Sequence, residues 1–193
     1  MLSYKESLKI LKEANALIDG HFILSSGLHS PQYVQCAQLM SKPEKAIKLC
    51  KSLSEKINNE FKDFDIILSP AMGGILVGYE IGKLLNKETI FSERVKGEFK
   101  LRRDFYIKRN QKVLIVEDVI TTGKSSLECS KLVLEKGATV IGFASIIDRS
   151  NGKSSIKGKI ISQIELNIPT YSKENLPTNL SALKAIKPGS RNI

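Results

Sequence analysis

From Asp65 onward the apolar positions of this chain come in short runs, each leading into a turn or a stretch with helical spacing. Ile66 to Leu68 leads into Ala71 to Gly74 and a helix reaching Leu85. Thr89 to Phe91 follows, then Val113 to Val116 with a helix ending near Gly137, and then Val140 to Ile147. Apolar runs alternating with helices predict a parallel sheet covered by helices on both faces. Ahead of the sheet, Ser3 and Glu6 have the spacing of a capping box and predict a helix to about Ile18, and Ser41 with Glu44 predicts the start of another. In that second helix Ala46, Leu49, Cys50, Leu53 and Ile57 make one buried stripe. His21 to Met40, between the two, is polar, turn-rich and too irregular for a long helix. With no internal repeat or linker, residues 1–193 are expected to form a single α/β domain. Its core spans about 42–150, and about 1–41 and 151–193 supply a small hood.

A hydrophobic content of 41% over 193 residues is enough to cover both faces of such a sheet, which excludes a disordered chain. Cys36, Cys50 and Cys129 are odd in number and lack metal or redox spacing, so free thiols in a reducing cytoplasm are expected. Two histidines, His21 and His29, argue against a transition-metal cage. The charged start lacks a signal-peptide core and no apolar run could cross a bilayer, so no membrane partner is expected. The formal charge of +10 is concentrated in residues 95–112 and 151–193, each with seven Lys or Arg against two acids. Such a surplus suits phosphate-rich small ligands, nucleic acid, or solubility alone; no nucleic-acid-binding module is visible, so no nucleic-acid partner is expected.

Chemistry enters at Val113 to Ser125, where an apolar strand runs into Glu117 and Asp118 and then into Thr121, Thr122, Gly123, Lys124 and Ser125. Such a turn can direct backbone N–H groups and hydroxyls at one phosphate, with a helix dipole behind it. The two acids can accept hydrogen bonds from ribose hydroxyls or help hold a hydrated divalent cation. A nucleotide-triphosphate loop is excluded by spacing, since the glycine it needs five positions before Gly123 is Asp118. An acid-ended strand followed by a capped helix, with no ligand, fits the same residues. Pro70 to Gly74 likewise offers backbone amides to an anion or close helix-to-sheet packing. Ser92 to Tyr106 is basic and poorly periodic, which fits a mobile lid or an exposed charged hairpin.

Val113 to Ser125 resembles throughout the signature of the type I phosphoribosyltransferases: apolar strand, two acids, two further residues, then Thr-Thr-Gly. The resemblance implies that family's fold, with a central parallel sheet flanked by helices under a hood, and 5-phosphoribosyl 1-diphosphate as substrate. By position, Glu117 and Asp118 meet the ribose hydroxyls, while the run through Val119 and Ile120 to Thr121, Thr122, Gly123, Lys124 and Ser125 grips the 5-phosphate. Met72, Gly73 and Gly74 form the diphosphate loop, with Met72 where many orotate-specific relatives carry Lys. Magnesium is implied as the cofactor, held mainly by the substrate's diphosphate and near Glu117 and Asp118. The resemblance further implies a homodimer in which loop 95–108 reaches the neighbouring active site. Arg94 matches the family's loop arginine. The familiar Lys-x-x-Lys-x-His series is absent, which leaves Lys96, Lys100, Arg102 and Arg103 as candidate catalytic cations.

Phe22 to Val34 resembles the N-terminal pattern of orotate phosphoribosyltransferases, with Ser25 in the place of a common Lys and Tyr33 able to stack on a pyrimidine. Arg149, after Asp148, matches the arginine that holds the orotate carboxylate, and Thr121 the threonine that also touches orotate. Taken without the family, Tyr33 is an ordinary surface or core residue and Arg149 a surface partner of Asp148. Lys187 to Arg191 recurs in one bacterial and archaeal branch of these enzymes. The implied reaction forms orotidine 5′-monophosphate and pyrophosphate, a step of pyrimidine and UMP biosynthesis. Transfer to a purine is the competing reaction. A regulator that senses the sugar diphosphate and binds nucleic acid is the competing class.

Overall fold

The structure is a computed structural model describing residues 1–24 and 26–188. Six strands form the central sheet in the order β5-β4-β3-β6-β7-β8. They are β3 (Ile66–Pro70), β4 (Glu88–Val95), β5 (Glu98–Leu101), β6 (Lys112–Ile120), β7 (Thr139–Asp148) and β8 (Ile160–Glu165). All neighbours are parallel except β4 and β5, which form an antiparallel hairpin. The strand called between Thr89 and Phe91 is thus longer than expected. Part of residues 151–193 belongs to the core rather than the hood, because β8 completes the sheet against β7.

Alternation along the inner strands sorts their side chains to two apolar layers. Ile67, Leu114, Val116, Ala144 and Ile146 face a layer with α3 (Pro43–Glu60) and α4 (Gly73–Leu85), whereas Ile66, Leu68, Val113, Ile115 and Phe143 face α5 (Lys124–Glu135). Full burial of each Leu or Ile contributes about 1.5–3 kcal/mol, so the strands that present the site rest on the most stable part of the molecule. The predicted stripe of Ala46, Leu49, Cys50, Leu53 and Ile57 is buried in α3. That helix begins at Pro43 with Lys42 as its N-cap, and the Ser41 hydroxyl bonds back to the Gln38 carbonyl instead of capping it.

At the N-terminus the Ser3–Glu6 capping box is formed, but α1 (Tyr4–Glu13) stops short of Ile18. Asn15 turns the chain at φ +57, and Leu17 to Ile23 becomes β1. The irregular stretch after it is ordered as β2 (His29–Val34), antiparallel to β1, and α2 (Cys36–Met40). The tail clasps this hairpin: Ile186 exchanges backbone bonds with His21 and Ile23, and Tyr171 does so with His29. Inside the clasp His21 and His29 are buried, with 2.6 Å between Nε2 of the first and Nδ1 of the second. His21 Nδ1 lies 2.9 Å from the Leu183 carbonyl. Two-stranded hood and tail thus form one unit beside the carboxyl ends of the strands.

Candidate active site

Strand β6 carries the two acids into the site by different routes. Glu117 is 8% exposed, on the α5 face with Val113 and Ile115, and one of its carboxylate oxygens accepts from the Ser126 hydroxyl. Burial raises its pKa to about 7, which the Ser126 bond partly offsets and the Asp118 charge reinforces. Asp118 points to the other face and is only half-buried, and its carboxyl is also raised by burial. A Cβ on Gly73 would lie 2.5 Å from Asp118 Oδ2, so the glycine loop after β3 and the acid of β6 are in direct apposition. Only a residue without a side chain allows that approach.

The loop itself leaves β3 with the Ala71 amide donating to the Ser92 carbonyl, and its Ala71–Met72 peptide is cis. Met72 caps α4 without a side-chain bond and is 83% exposed; Gly73 is exposed and Gly74 buried. At the end of β6, Val119 and Ile120 pair with Ile147 and Asp148 of β7, and Thr121 and Thr122 emerge exposed. Gly123 takes φ +79 and is the N-cap of α5 with no side-chain cap, so the first-turn amides are not claimed by a side chain of the cap. A side chain there would also strike Ile156 at 2.7 Å. Lys124 is exposed and Ser125 half-buried beside it. A polar helix start backed by oriented amides is suited to a dianionic phosphate.

Across the strand ends, Arg149 comes together with Tyr33. The guanidinium is half-buried, its Nε is buried without a hydrogen-bond partner, and burial disfavours its charge while Tyr33 acts to raise it. Its neighbour Asp148 accepts from the Ser150 amide at 2.6 Å, and among the described residues it forms no ion pair with Arg149. Tyr33 lies against Phe22 with ring centroids 5.6 Å apart. A half-buried guanidinium with an unpartnered Nε, within electrostatic reach of Tyr33, fits a planar carboxylate ligand. Ser25 lies outside the described residues, as do the last three residues of the run from Lys187 to Arg191.

The basic segment takes the hairpin alternative over its first half. Lys96 and Gly97 form the turn between β4 and β5, Phe99 is buried, and Phe105 packs edge-on to Phe91. Arg94 pairs with Glu128 of α5 at 2.5 Å and bonds to the Gly97 carbonyl. Lys100 pairs with Glu98, and Arg102 and Arg103 both pair with Glu93. The structure therefore brings Glu117, Asp118, Gly73 and the α5 turn together, while Lys100, Arg102 and Arg103 have their acidic partners within their own hairpin.

Among the described residues no group of three or more His, Cys, Asp or Glu could hold a metal. Two adjacent carboxylates without a third fit an ion that arrives on a diphosphate, since magnesium keeps its waters and is held through one or two carboxylates plus phosphates. The residue that the sequence pattern misses is Ser126, one position beyond the signature. Its signal lay in helical spacing, for Ser126, Cys129 and Val133 form the buried face of α5.

Residues 40–175 match the family model described as phosphoribosyl transferase domain. The chain is 46% identical over its whole length, and the whole of the relative's, to orotate phosphoribosyltransferase of Parvibaculum lavamentivorans. With that of Rhizorhabdus wittichii it shares 45% over 97% of this chain and 96% of the relative. The crystal structure of orotate phosphoribosyltransferase from Aeropyrum pernix aligns with a TM-score of 0.73 at 23% identity, covering 82% of this chain and 92% of that one. Adenine phosphoribosyltransferase from Thermoanaerobacter pseudethanolicus aligns at 0.62 and 20% identity, over 70% of this chain and 88% of that one. These two likenesses are of fold, whereas the family match and the full-length identity reach further: the chain belongs to the phosphoribosyltransferase family.

Proposed function

We propose that the protein transfers phosphoribose from 5-phosphoribosyl 1-diphosphate to N1 of orotate, giving orotidine 5′-monophosphate and pyrophosphate for pyrimidine biosynthesis in the cytoplasm. The observation that carries the choice of base is the half-buried Arg149 with its unpartnered Nε beside Tyr33. A guanidinium so placed grips the orotate carboxylate and leaves a purine, which has none, without that anchor.

The chemistry is electrostatic. Glu117 and Asp118 accept hydrogen bonds from the ribose hydroxyls and hold the ring as its C1 becomes cation-like. The amides and hydroxyls of Thr121 to Ser125 hold the 5-phosphate, which fixes C1 relative to the base. Gly73 and Gly74 present backbone to the departing diphosphate. Glu117 and Asp118 are the carboxylates that would hold magnesium arriving with the diphosphate, where it would supply charge neutralisation. Lys96, Lys100, Arg102 and Arg103 are the cations available to stabilise the leaving group, with Arg94 beside the turn of the same hairpin.

Lys100, Arg102 and Arg103 pair within their own hairpin, and Met72 at the cap of α4 lies exposed with Leu76 and Tyr79 of that helix. Both features support a homodimer that covers this face and offers each hairpin to the neighbouring site. The test mixes protein, magnesium, sugar diphosphate and orotate and follows loss of orotate absorbance. Turnover is expected with orotate and not with adenine, guanine or hypoxanthine, and the reverse order sinks the assignment. Salt-sensitive nucleic-acid binding without turnover would point to the regulator instead.

A further inference from the structure

The acid that meets the ribose is held by a residue outside the signature. Glu117 is buried in an apolar layer, and the charge acting on it, Asp118, opposes its ionisation. Its side-chain hydrogen-bond partner is the hydroxyl of Ser126, which is fully buried on the first turn of α5. The neighbouring strand offers no substitute: Ser145 is the register partner of Glu117 on β7, and its buried hydroxyl has no partner at all. A carboxylate with rotatable χ angles in such a place is fixed by whatever hydrogen bond it makes.

We propose that Ser126 is a positioning residue for the sugar-diphosphate site, its hydroxyl occupying one oxygen of Glu117 and so presenting the other to a ribose hydroxyl. The placement of the donor matters as much as its identity. Ser126 lies in the same helical turn that begins at Gly123 and whose preceding residues are assigned to the 5-phosphate. One turn therefore grips the phosphate from its outer side and the ribose acid from its inner side. A phosphate drawn onto the turn holds Ser126, and through it Glu117, in the geometry that receives the ring.

The inference rests on the ribose-binding reading of Glu117, and its test separates the two. Ser126→Ala and the near-isosteric Ser126→Cys are expected to raise KM for the sugar diphosphate about tenfold, the scale of a lost hydrogen bond to a charged group, with KM for orotate unchanged. Ser126→Thr, which keeps the hydroxyl, restores the wild-type value. In a Glu117→Gln background the Ser126→Ala penalty is expected to shrink to less than twofold, because the group it positions has changed. Ser145→Ala, which removes an equally buried hydroxyl not bonded to Glu117, leaves both KM values unchanged. Should either Ser126 variant keep a wild-type KM, or show the same penalty in both backgrounds, Ser126 has only a packing role. If Glu117→Gln alone has no effect on KM for the sugar diphosphate, the ribose-binding reading itself fails and this inference with it.

Discussion

The turn after β6 and the hairpin of β4 and β5 both carry charged side chains, yet they hold them in opposite ways. Glu117 is buried with a hydroxyl partner and no cation, whereas Arg102 and Arg103 are largely exposed and share Glu93. Buried polar groups keep one geometry because leaving it costs a hydrogen bond that water cannot replace. Exposed ion pairs contribute about 0–1 kcal/mol and exchange partners easily. A binding site for a substrate with fixed shape needs the first kind. Groups that gather on a departing diphosphate are served by the second, since they must let it go.

The sharpest way to break this comparison is to move the rigid side without unfolding it. Gly73→Ala would put a Cβ 2.5 Å from Asp118 Oδ2, and the carboxylate can swing aside. We expect kcat/KM to fall by at least about a hundredfold in steady-state assays, with thermal unfolding little changed. A larger loss of stability than of activity would show that the apposition is only packing.

Arg149 extends the contrast to one residue type, half-buried here and exposed in the hairpin. Arg149→Ala is expected to raise KM for orotate by roughly 10- to 100-fold, and Arg149→Lys to recover little, since an ammonium cannot make the paired contact. Intact turnover by the alanine variant overturns the pocket assignment.

Protonation gives a third and smaller effect. Glu117 titrates near 7 against an ordinary 4.5, so in the substrate-free protein it takes up a proton as pH falls through about 7. Binding of the sugar diphosphate should weaken over that interval, and Glu117→Gln should abolish the dependence. The linked stability runs the other way. With a raised folded-state pKa, the favourable contribution is fully present below about 4.5 and is lost as pH rises through about 7. Melting curves of the wild type and the Gln variant between those limits check the sign.

The hairpin side should yield the smallest stability changes. Alanine at Lys96, Lys100, Arg102 or Arg103 is expected to shift unfolding by no more than about 1 kcal/mol. The cation that meets the leaving group is identified by a fall in kcat with KM retained. If a single change here melts the protein, the hairpin is a structural brace and the comparison collapses.

Much of this contrast could be read from residue order. The strand-turn-helix repetition reports periodicity, and periodicity is what places Glu117, Gly123 and Arg149 at strand ends. Pairing across long distances escapes such reading. Leu17 and Ile18 look like the end of a helix until Asn15 turns the chain, and β8 is weakly apolar because it sits at the sheet edge. Ser126 is half legible for a related reason: helical spacing places it on the buried face of α5, but its partner is not known until the strand beneath it is. The division of the basic segment into a paired hairpin and a following turn likewise depends on Phe99 and Phe105 finding apolar neighbours.

The clasp between the tail and β1 has a consequence for biogenesis. His21 meets the Leu183 carbonyl 162 positions later, so on the ribosome the hood must wait until nearly everything after it has been translated. The inner strands of the sheet can collapse first, and the hood closes last. Mistakes in late synthesis, or a nick near Lys184, would then leave a particle that retains the sugar diphosphate but handles the pyrimidine poorly.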